Sequence, residues 1–336
     1  MSKMRAVQVS KPNGPFEVVE RELLDPGPDE IRIKVEACGI CHSDAFTKSG
    51  AFPGLVLPRV PGHEIAGRVD AVGAKVKGWK AGERVGVGWY GGHCGECGPC
   101  RKGLFINCEN SRVTGVSFDG GYADYANVPR QAAARIPDAI DFAEAGPLLC
   151  AGLTTYNALR NSGARPGDTV AVLGIGGLGH LAVQYAARMG FRTVAVSRGA
   201  DKEKLARELG AHDYVNTQKV DAAKGLQRLG GADLVLATAP NSAAIASTLG
   251  GLKVRGTLLI VAAAFEPLQI ASIQLLSGRS IAGWPSGVSI DSEETMAFSA
   301  LTNVRPRIEK FALDRAEEAF TKMMGNNVRF RAVLVP

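Results

Sequence analysis

One stretch, residues 168–198, restricts the fold more than any other: DTVAVLGIGGLGHLAVQYAARMGFRTVAVSR. "TVAVL" has the apolar character of a buried strand, and apolar residues at helical spacing follow from Leu178 to Met189. The glycines between them match G-x-G-x-x-G, a pattern that permits a tight turn and close approach of backbone N–H groups to a pyrophosphate. A glycine-rich turn of another α/β domain is the plain alternative, but the flanking strand and helix favour a Rossmann unit. The candidate cofactor contacts in the turn are Gly174, Gly176, Gly177, Leu178 and Gly179.

The end of the second strand indicates which dinucleotide a Rossmann unit of this sequence would prefer. An NAD-binding unit normally has an acid there for the ribose hydroxyls, whereas this chain has Ser197 and Arg198. Without a carboxylate, a 2'-phosphate meets no repulsion and can pair with Arg198, so the sequence favours NADP(H) over NAD(H). Lys202 is a further candidate contact, and Asp201 lies too far along the chain to replace the acid. If Arg198 is only a solvated surface residue, NAD(H) is the alternative.

The remaining pattern predicts an α/β protein of two domains. Strand-like runs at "DLVLAT" and "GTLLIVA", with helical stretches between them, continue a doubly wound pattern to "SIAGWP". The Rossmann domain is therefore predicted over residues 151–284. Because 336 residues exceed what one core usually covers, residues 1–150 and 285–336 are expected to form the other domain.

Composition excludes several classes of protein. The net charge of +6 is spread along the chain without a Lys/Arg block, so nucleic acid is not an expected partner. No apolar run is long enough to span a bilayer, and the first ten residues, "MSKMRAVQVS", lack the apolar core of a secretion signal. We therefore expect a cytoplasmic protein without a membrane partner, whose seven cysteines serve metal or catalysis rather than disulfides.

Four of those cysteines fall within fifteen residues, in "CGECGPCRKGLFINC". The C-x2-C-x2-C-x7-C spacing places four soft ligands on a short loop, and four-sulfur coordination suits Zn²⁺. An iron–sulfur cluster, a disulfide pair and chance are the alternatives, but the spacing differs from ferredoxin-like runs. A site filled by four protein ligands would be structural. The predicted ligands are Cys94, Cys97, Cys100 and Cys108.

A second set of potential ligands is spread along the chain. Cys41 lies in "EACGICHSD", His63 in "PGHEIAG" and Cys150 in "PLLCAGLTTY". Two thiolates and one imidazole form the ligand set of a catalytic zinc that leaves one position for water or substrate. Spacing alone does not show that the three converge: Cys150 could be a small core residue, His63 a turn residue, and Cys38 with Cys41 a redox pair.

Together, in this order, these motifs closely resemble the zinc-containing medium-chain alcohol dehydrogenases. The resemblance covers the chain from near its N-terminus to its last strand, through "CGICHSD", "PGHEIAGRVDAVG", "CGECGPCRKGLFINC", "LCAGLTTY" and "GIGGLGHLAVQYA". It implies a GroES-like, β-rich catalytic domain beside the Rossmann domain, two zinc ions per chain, and a homodimer or homotetramer formed largely through Rossmann domains.

The resemblance also implies roles for individual residues. Cys41, His63 and Cys150 look like the ligands of the catalytic zinc, and Glu64 like an acid that approaches the metal during ligand exchange. Asp44 resembles the carboxylate that orients the imidazole, and Ser43 the hydroxyl that takes the alcohol proton. Three further residues match cofactor contacts: His42 and Arg331 for the phosphates and Thr154 for the nicotinamide.

One position departs from the family pattern. Many members have a proton-relaying histidine where this chain has Phe46, so the proton from Ser43 would leave through the ribose to water or another group. Aromatic residues are expected to line an apolar substrate pocket, although core packing is their default role. These are Phe46, Phe52, Trp89 and Trp284.

The expected activity is reversible hydride transfer between an alcohol or aldehyde and a nicotinamide cofactor, with zinc as Lewis acid. The alternatives are a narrower cinnamyl-alcohol-type or general NADPH aldehyde reductase, an NAD(H)-preferring enzyme, and a noncatalytic zinc-stabilised binding protein of the same fold. The metal-free, quinone-reductase-like branch is disfavoured by the complete ligand set.

Overall fold

The computed structural model describes residues 2–336 and divides the chain into two compact units. The first unit comprises the chain up to Leu153 together with Gly287–Pro336, and the second comprises Thr154–Ser286. The predicted domain boundaries, 150/151 and 284/285, lie within three residues of these positions.

Strands occur in both units and are numbered in chain order. They are β1 (Lys3–Gln8), β2 (Glu17–Glu22), β3 (Glu30–Gly39), β4 (Ile65–Val72), β5 (Arg84–Val87), β6 (Tyr90–Gly92), β7 (Arg112–Val113), β8 (Tyr125–Pro129), β9 (Ala133–Arg135), β10 (Thr169–Leu173), β11 (Arg192–Ser197), β12 (Asp213–Asn216), β13 (Ala232–Ala237), β14 (Leu252–Ile260), β15 (Ser280–Gly283), β16 (Ile308–Ala312) and β17 (Arg331–Val335).

The α-helices are short in the first unit except near its C-terminal end. They are α1 (Asp44–Ser49), α2 (Gly98–Arg101), α3 (Phe142–Pro147), α4 (Leu153–Arg160), α5 (Gly179–Arg188), α6 (Glu203–Glu208), α7 (Ala222–Arg228), α8 (Ser242–Ser247), α9 (Ser289–Thr302) and α10 (Ala316–Met324). A π-helical turn, Leu148–Gly152, connects α3 to α4. No helix among residues 2–336 is long and apolar enough to cross a membrane.

The first unit is built on a seven-stranded sheet with the order β16-β17-β3-β4-β5-β9, in which β8 also pairs with β3. Its neighbours are antiparallel except for β16 and β17. Strand β3 shows how the sequence produces the sheet: Ile31, Ile33 and Val35 are buried on one face, whereas Lys34 between them is exposed. The unit's core forms on the apolar face.

The second unit contains a six-stranded parallel sheet with the order β12-β11-β10-β13-β14-β15. Counted from its own first strand this is 3-2-1-4-5-6, the order of a doubly wound dinucleotide-binding sheet. All five residues of β10 are buried, as a strand covered on both faces requires. The turn after β10 needs glycine, because Gly174 has φ +93° and a side chain at Gly179 would overlap the carbonyl oxygen of Gly174.

A half-buried lysine joins α1 to α10 in the first unit. The ammonium of Lys48, in the last turn of α1, lies 2.7 Å from the carboxylate of Glu317 and 4.0 Å from the centre of the Phe16 ring. The same carboxylate accepts the backbone N–H of Phe16 at 2.8 Å. Helix α10 is itself amphipathic, since Ala316, Ala319, Phe320 and Met323 are its buried residues. The position of α1 matters because it begins next to Cys41.

We predict that Glu317→Gln destabilises the protein in a pH-dependent way. Burial opposes ionisation, but the hydrogen bonds from Lys48 and the Phe16 N–H outweigh it and hold the pKa of Glu317 below its ordinary 4.5. Stability from a depressed carboxyl pKa is present above the unfolded-state pKa and is lost as pH falls through the folded-state pKa. Because the carboxylate is half-exposed, we expect a loss of about 0.5 kcal/mol at pH 7.

Urea unfolding of both proteins at pH 7 and at pH 3 measures this difference. The two unfolding free energies should converge at the acid end. A difference that stays constant across this range would show that packing, rather than the charge of Glu317, is responsible.

Candidate active site and cysteine lobe

Three separate segments of the first unit carry the predicted zinc ligands to one point. Cys41 follows the end of β3, His63 precedes β4, and Cys150 lies in the π-helical turn. One ligand atom from each of these residues and from Glu64 lie within 4.8 Å of one another. The sulfurs of Cys41 and Cys150 are 3.8 Å apart. Two sulfurs bound to one zinc at about 2.3 Å and a tetrahedral angle lie about 3.8 Å apart, so the pair fits the ion.

The imidazole of His63 is oriented by Asp44. Its Nδ1 lies 3.0 Å from the Asp44 carboxylate, and both side chains are 2% exposed. Its Nε2 is buried and has no hydrogen-bond partner among the described residues. A buried, unpaired ring nitrogen beside two thiols is the arrangement that a bound metal ion would satisfy.

The charges around Cys41 favour its thiolate form. The pKa of Cys41 lies well below its ordinary value, because its sulfur accepts a hydrogen bond from Cys150 and the positive charges of His63 and Arg331 are close. The shared proton in turn holds the pKa of Cys150 above its ordinary value. Although burial opposes its charge, Asp44 and Cys41 raise the pKa of His63. Zn²⁺ would replace the protons that these groups share.

Glu64 and Arg331 form a buried ion pair beside the ligands. The guanidinium Nη2 of Arg331 donates to Oε1 of Glu64, and the two side chains are 5% and 0% exposed. Burial raises the pKa of Glu64 to about 7, against the opposing effect of Arg331. The pair explains one glycine of "CGICHSD", because a side chain at Gly39 would overlap the Glu64 carboxylate. Arg331, which the resemblance assigned to a cofactor phosphate, is thus engaged with Glu64 in this structure.

Tyr122, which is not among the predicted site residues, completes the cluster. Tyr122 is fully buried and its hydroxyl donates to Oδ2 of Asp44 at 2.9 Å. The available signal was the pair of glycines before it, since Gly120 and Gly121 lie where a side chain would overlap residues 61–65. Paired glycines before an aromatic residue indicate close approach of two backbone segments.

Two of the four predicted pocket aromatics lie together beside the ligands. The ring of Trp89 meets His63 edge-on at 5.0 Å, and Phe52 meets Trp89 edge-on at 5.9 Å. Phe46 lies on α1, two residues after Asp44. Trp284 belongs to the second unit, where its indole N–H donates to the carbonyl oxygen of Ser286 at 2.9 Å.

The other predicted residues of the Cys41 segment differ in exposure. His42 is exposed, whereas Ser43 is half-buried and its hydroxyl lies 3.8 Å from the sulfur of Cys41. A hydroxyl at this position is close enough to the ligands to meet an oxygen bound there. Thr154, in the second unit, is buried and donates its hydroxyl hydrogen bond to Ser286 at 2.9 Å.

The four-cysteine lobe forms a second group of potential ligands. The sulfurs of Cys94, Cys97, Cys100 and Cys108 lie within 4.8 Å of one another. Separations of 3.8 Å for Cys97 to Cys108 and 3.6 Å for Cys108 to Cys94 suit one tetrahedral zinc. Backbone N–H groups of Glu96 and Cys97 lower the pKa of Cys94 to about 6, which favours the thiolate. With four sulfurs this site has no position for a substrate.

The predicted cofactor residues of the second unit lie at the carboxyl ends of β10 and β11. Gly174, Gly176, Gly177 and Leu178 form the turn that precedes α5, which begins at Gly179. Ser197 ends β11 and is buried, Arg198 is exposed, and Lys202 immediately precedes α6. The loop between them is fixed through Gly199, whose N–H donates to Asn216 at 3.1 Å and whose carbonyl accepts the Tyr214 hydroxyl at 2.8 Å.

Known protein families match segments of both units. Residues 27–138 match the family model "Alcohol dehydrogenase GroES-like domain", and residues 177–301 match "Zinc-binding dehydrogenase". The chain is 48% identical over 315 residues to alcohol dehydrogenase patD of Penicillium expansum, covering 94% of this chain and 92% of the relative. It is 40% identical to an alcohol dehydrogenase of Geobacillus stearothermophilus, covering 98% of each.

Solved structures give the same result. A cinnamyl alcohol dehydrogenase from Sorghum bicolor superposes with a TM-score of 0.90 at 28% identity, covering 99% of this chain and 98% of that one. The chain therefore belongs to the zinc-containing alcohol dehydrogenases of the medium-chain dehydrogenase/reductase superfamily. The predicted fold class, a GroES-like domain with a Rossmann domain, is confirmed, and the protein is an oxidoreductase of the alcohol dehydrogenase type.

We predict that Gly62→Ala is much more destabilising than Gly54→Ala. Both glycines have positive φ, +101° and +76°, but only Gly62 is crowded: a Cβ there would overlap the Tyr122 ring and lie 2.8 Å from the Cys38 sulfur. Gly54 has nothing within 4 Å and would incur only the backbone strain, about 1 kcal/mol. Gly62→Ala should cost at least about 3 kcal/mol.

Chemical unfolding of the two variants beside the unchanged protein measures both costs. Equal costs would contradict the close packing of Tyr122 against the backbone that precedes His63.

Proposed function

We propose that this protein is a zinc-dependent alcohol dehydrogenase and aldehyde reductase that uses NADP(H). The observation that carries the proposal is the convergence of Cys41, His63 and Cys150, with His63 Nε2 buried and unpaired. Three protein ligands of this type leave a fourth position for a substrate oxygen. The four cysteines of the lobe would hold a second, structural zinc.

The bound groups supply the chemistry at the reacting atoms, and the protein positions them. A zinc ion at the three ligands would act as a Lewis acid toward the oxygen of the alcohol or aldehyde. The nicotinamide ring would accept or donate the hydride.

The chain's own residues would orient the ligands and move the proton. Asp44 holds His63 Nδ1, so that Nε2 is the nitrogen available to a metal. Ser43 would accept the proton of the alcohol at its hydroxyl and return it in aldehyde reduction. Phe46 has no group that can relay a proton. The proton would therefore pass from Ser43 to a ribose hydroxyl and then to water. Trp89 and Phe52 would form an apolar wall that excludes water from the substrate.

The cofactor preference rests on the end of β11. Ser197 and Arg198 stand where a ribose-binding carboxylate would be, and Arg198 is exposed to solvent. Two hydrogen bonds join Gly199 to Asn216 and Tyr214 of β12. They fix the backbone of the loop that carries Arg198. The acid of this loop, Asp201, lies against Gly199, one residue beyond Arg198. A guanidinium directly after the strand, where an NAD-binding unit has its carboxylate, favours a 2'-phosphate.

The test is steady-state reduction of a small aldehyde panel, including benzaldehyde and hexanal, with NADPH and NADH in parallel. We expect a kcat/KM at least about tenfold higher for NADPH, the equivalent of about 1.4 kcal/mol. Turnover should stop when a chelator removes one of two bound zinc ions. Arg198→Asp should lower kcat/KM for NADPH and leave that for NADH within about threefold.

Arg192→Asp, at the start of β11 and paired with Asp213, is the matched charge control and should not change the preference. Preference for NADH would refute the role of Arg198 without touching the zinc mechanism. Absence of turnover with either cofactor, in protein shown to hold two zinc ions, would favour the binding-protein alternative.

We also propose that the protein assembles as a homodimer or homotetramer through the second unit. Strand β15 is the edge of its sheet and is poorly covered. The adjoining residues Phe265, Ile273 and Leu276 are 81%, 68% and 78% exposed. A bare edge strand beside exposed large apolar side chains is a surface that another copy can extend and cover.

Light scattering of the purified protein should give a multiple of the chain mass. The double change Ile273→Lys and Leu276→Lys should reduce it, whereas Leu301→Lys, at a residue 84% exposed in the first unit, should not. A single-chain mass for the unchanged protein would refute the assembly.

A further inference from the structure

The aromatic residue behind Asp44 offers more than packing. Tyr122 lies in the loop before β8 and none of its surface is exposed. Its hydroxyl donates to Oδ2 of Asp44 at 2.9 Å, and the same oxygen accepts the backbone N–H of Cys41 at 2.8 Å. The other oxygen, Oδ1, faces Nδ1 of His63 at 3.0 Å. The orientation of the carboxylate is therefore set from three sides.

Tyr122 also touches the segment that carries His63. Its backbone N–H donates to the carbonyl of Pro61 at 3.1 Å, and its ring lies so close to Gly62 that a Cβ there would overlap it. Its own carbonyl accepts the N–H of Val7 at 2.7 Å, which fixes the tyrosine to β1. One residue thus braces both the Cys41–Asp44 segment, through its hydroxyl, and the segment before His63, through its backbone and ring.

The hydroxyl is not needed for the packing of the ring. Phe16 meets the ring edge-on at 5.9 Å, an apolar contact that phenylalanine would make equally well. Burying a hydroxyl in such surroundings costs free energy unless it is hydrogen-bonded, and here the bond is made to a carboxylate that orients a metal ligand. The polar group therefore has a role toward Asp44.

We propose that Tyr122 is a positioning residue for the zinc centre, acting through Asp44 to hold the His63 imidazole. The inference rests on the zinc centre of the proposed function. Without the tyrosine donor, Asp44 keeps one hydrogen bond to Oδ2 instead of two and has more freedom to rotate. The His63 ring then loses part of its fixed direction, and zinc binding weakens. The residue itself touches neither substrate nor cofactor in this role.

The test is zinc affinity rather than turnover. Tyr122→Phe keeps the ring and removes the hydroxyl. Competition with a chelator such as dipicolinate, followed by zinc analysis, should show weaker binding at the chelator-labile site by about tenfold, the usual effect of altering a residue behind the ligands. Cys41→Ser identifies which of the two zinc ions is the labile one. The lobe zinc should be retained in Tyr122→Phe.

Two further variants separate orientation from packing. Phe16→Leu disturbs the packing of the Tyr122 ring and leaves its hydroxyl; it should lower thermal stability but change zinc affinity by less than about twofold. In an Asp44→Asn background, Tyr122→Phe should cost less than about threefold, because the two residues act through one contact.

The outcomes distinguish the inference from the function beneath it. If the unchanged protein binds only the lobe zinc, the zinc centre is wrong and the inference falls with it. If it binds two zinc ions and Tyr122→Phe binds them equally well, only the role of Tyr122 is refuted, whatever happens to thermal stability. Equal losses of affinity in Phe16→Leu, or a full loss in the Asp44→Asn background, would assign the effect to packing and also overturn the proposal.

Discussion

The candidate site depends on the buried carboxylate of Asp44. It accepts from the Cys41 backbone and the Tyr122 hydroxyl and faces Nδ1 of His63. A carboxylate with 2% exposure is costly to bury unless each oxygen is paired. Those pairings join three stretches of chain, at residues 41, 63 and 122. The same contacts therefore offset the cost of burying the charge and hold the candidate ligands in place.

Glycines make that convergence sterically possible. A side chain at Gly39 would overlap the Glu64 carboxylate, and one at Gly62 would overlap the Tyr122 ring. Gly121 lies where a side chain would come within 2.9 Å of the Cys38 sulfur. These three glycines therefore leave the space that the carboxylate, the ring and the sulfur occupy around the candidate ligands. This is why the motifs "CGICHSD" and "PGHEIAG" pair each ligand with nearby glycines.

Local patterns in the sequence were sufficient for part of this architecture. The strand–turn–helix around Gly174 and the cysteine spacing of the lobe depend on residues close in the chain, so periodicity and spacing indicated them directly. Convergence of Cys150 with Cys41 spans 109 residues and the Glu64–Arg331 pair spans 267. No local pattern encodes such contacts; the first was expected from a family resemblance, and the second was not foreseen.

Tyr122 was missed for a related reason. In sequence it is one of two tyrosines in "DGGYADYANV", and core packing is the ordinary role of a buried aromatic residue. Only the fold shows that its hydroxyl meets a carboxylate 78 residues away. The partner of a polar atom on a mostly apolar side chain is therefore difficult to predict from sequence. Burial nevertheless makes the hydrogen bond to that partner energetically important.

Two pairs of ionisable side chains, Asp44 with His63 and Glu64 with Arg331, lie side by side in the candidate site. A divalent ion would neutralise the thiolates of Cys41 and Cys150, and Arg331 neutralises Glu64. With an ion bound at Nε2 of His63, the imidazole would be neutral, and the remaining negative charge of Asp44 would be offset by the Cys41 N–H, the Tyr122 hydroxyl and the polarised imidazole N–H. A proton on Nε2 of His63 would make the imidazole positively charged and would occupy the electron pair that the ion needs. A carboxylate held by neutral donors would instead strengthen the imidazole as a ligand, which suits the zinc centre proposed above.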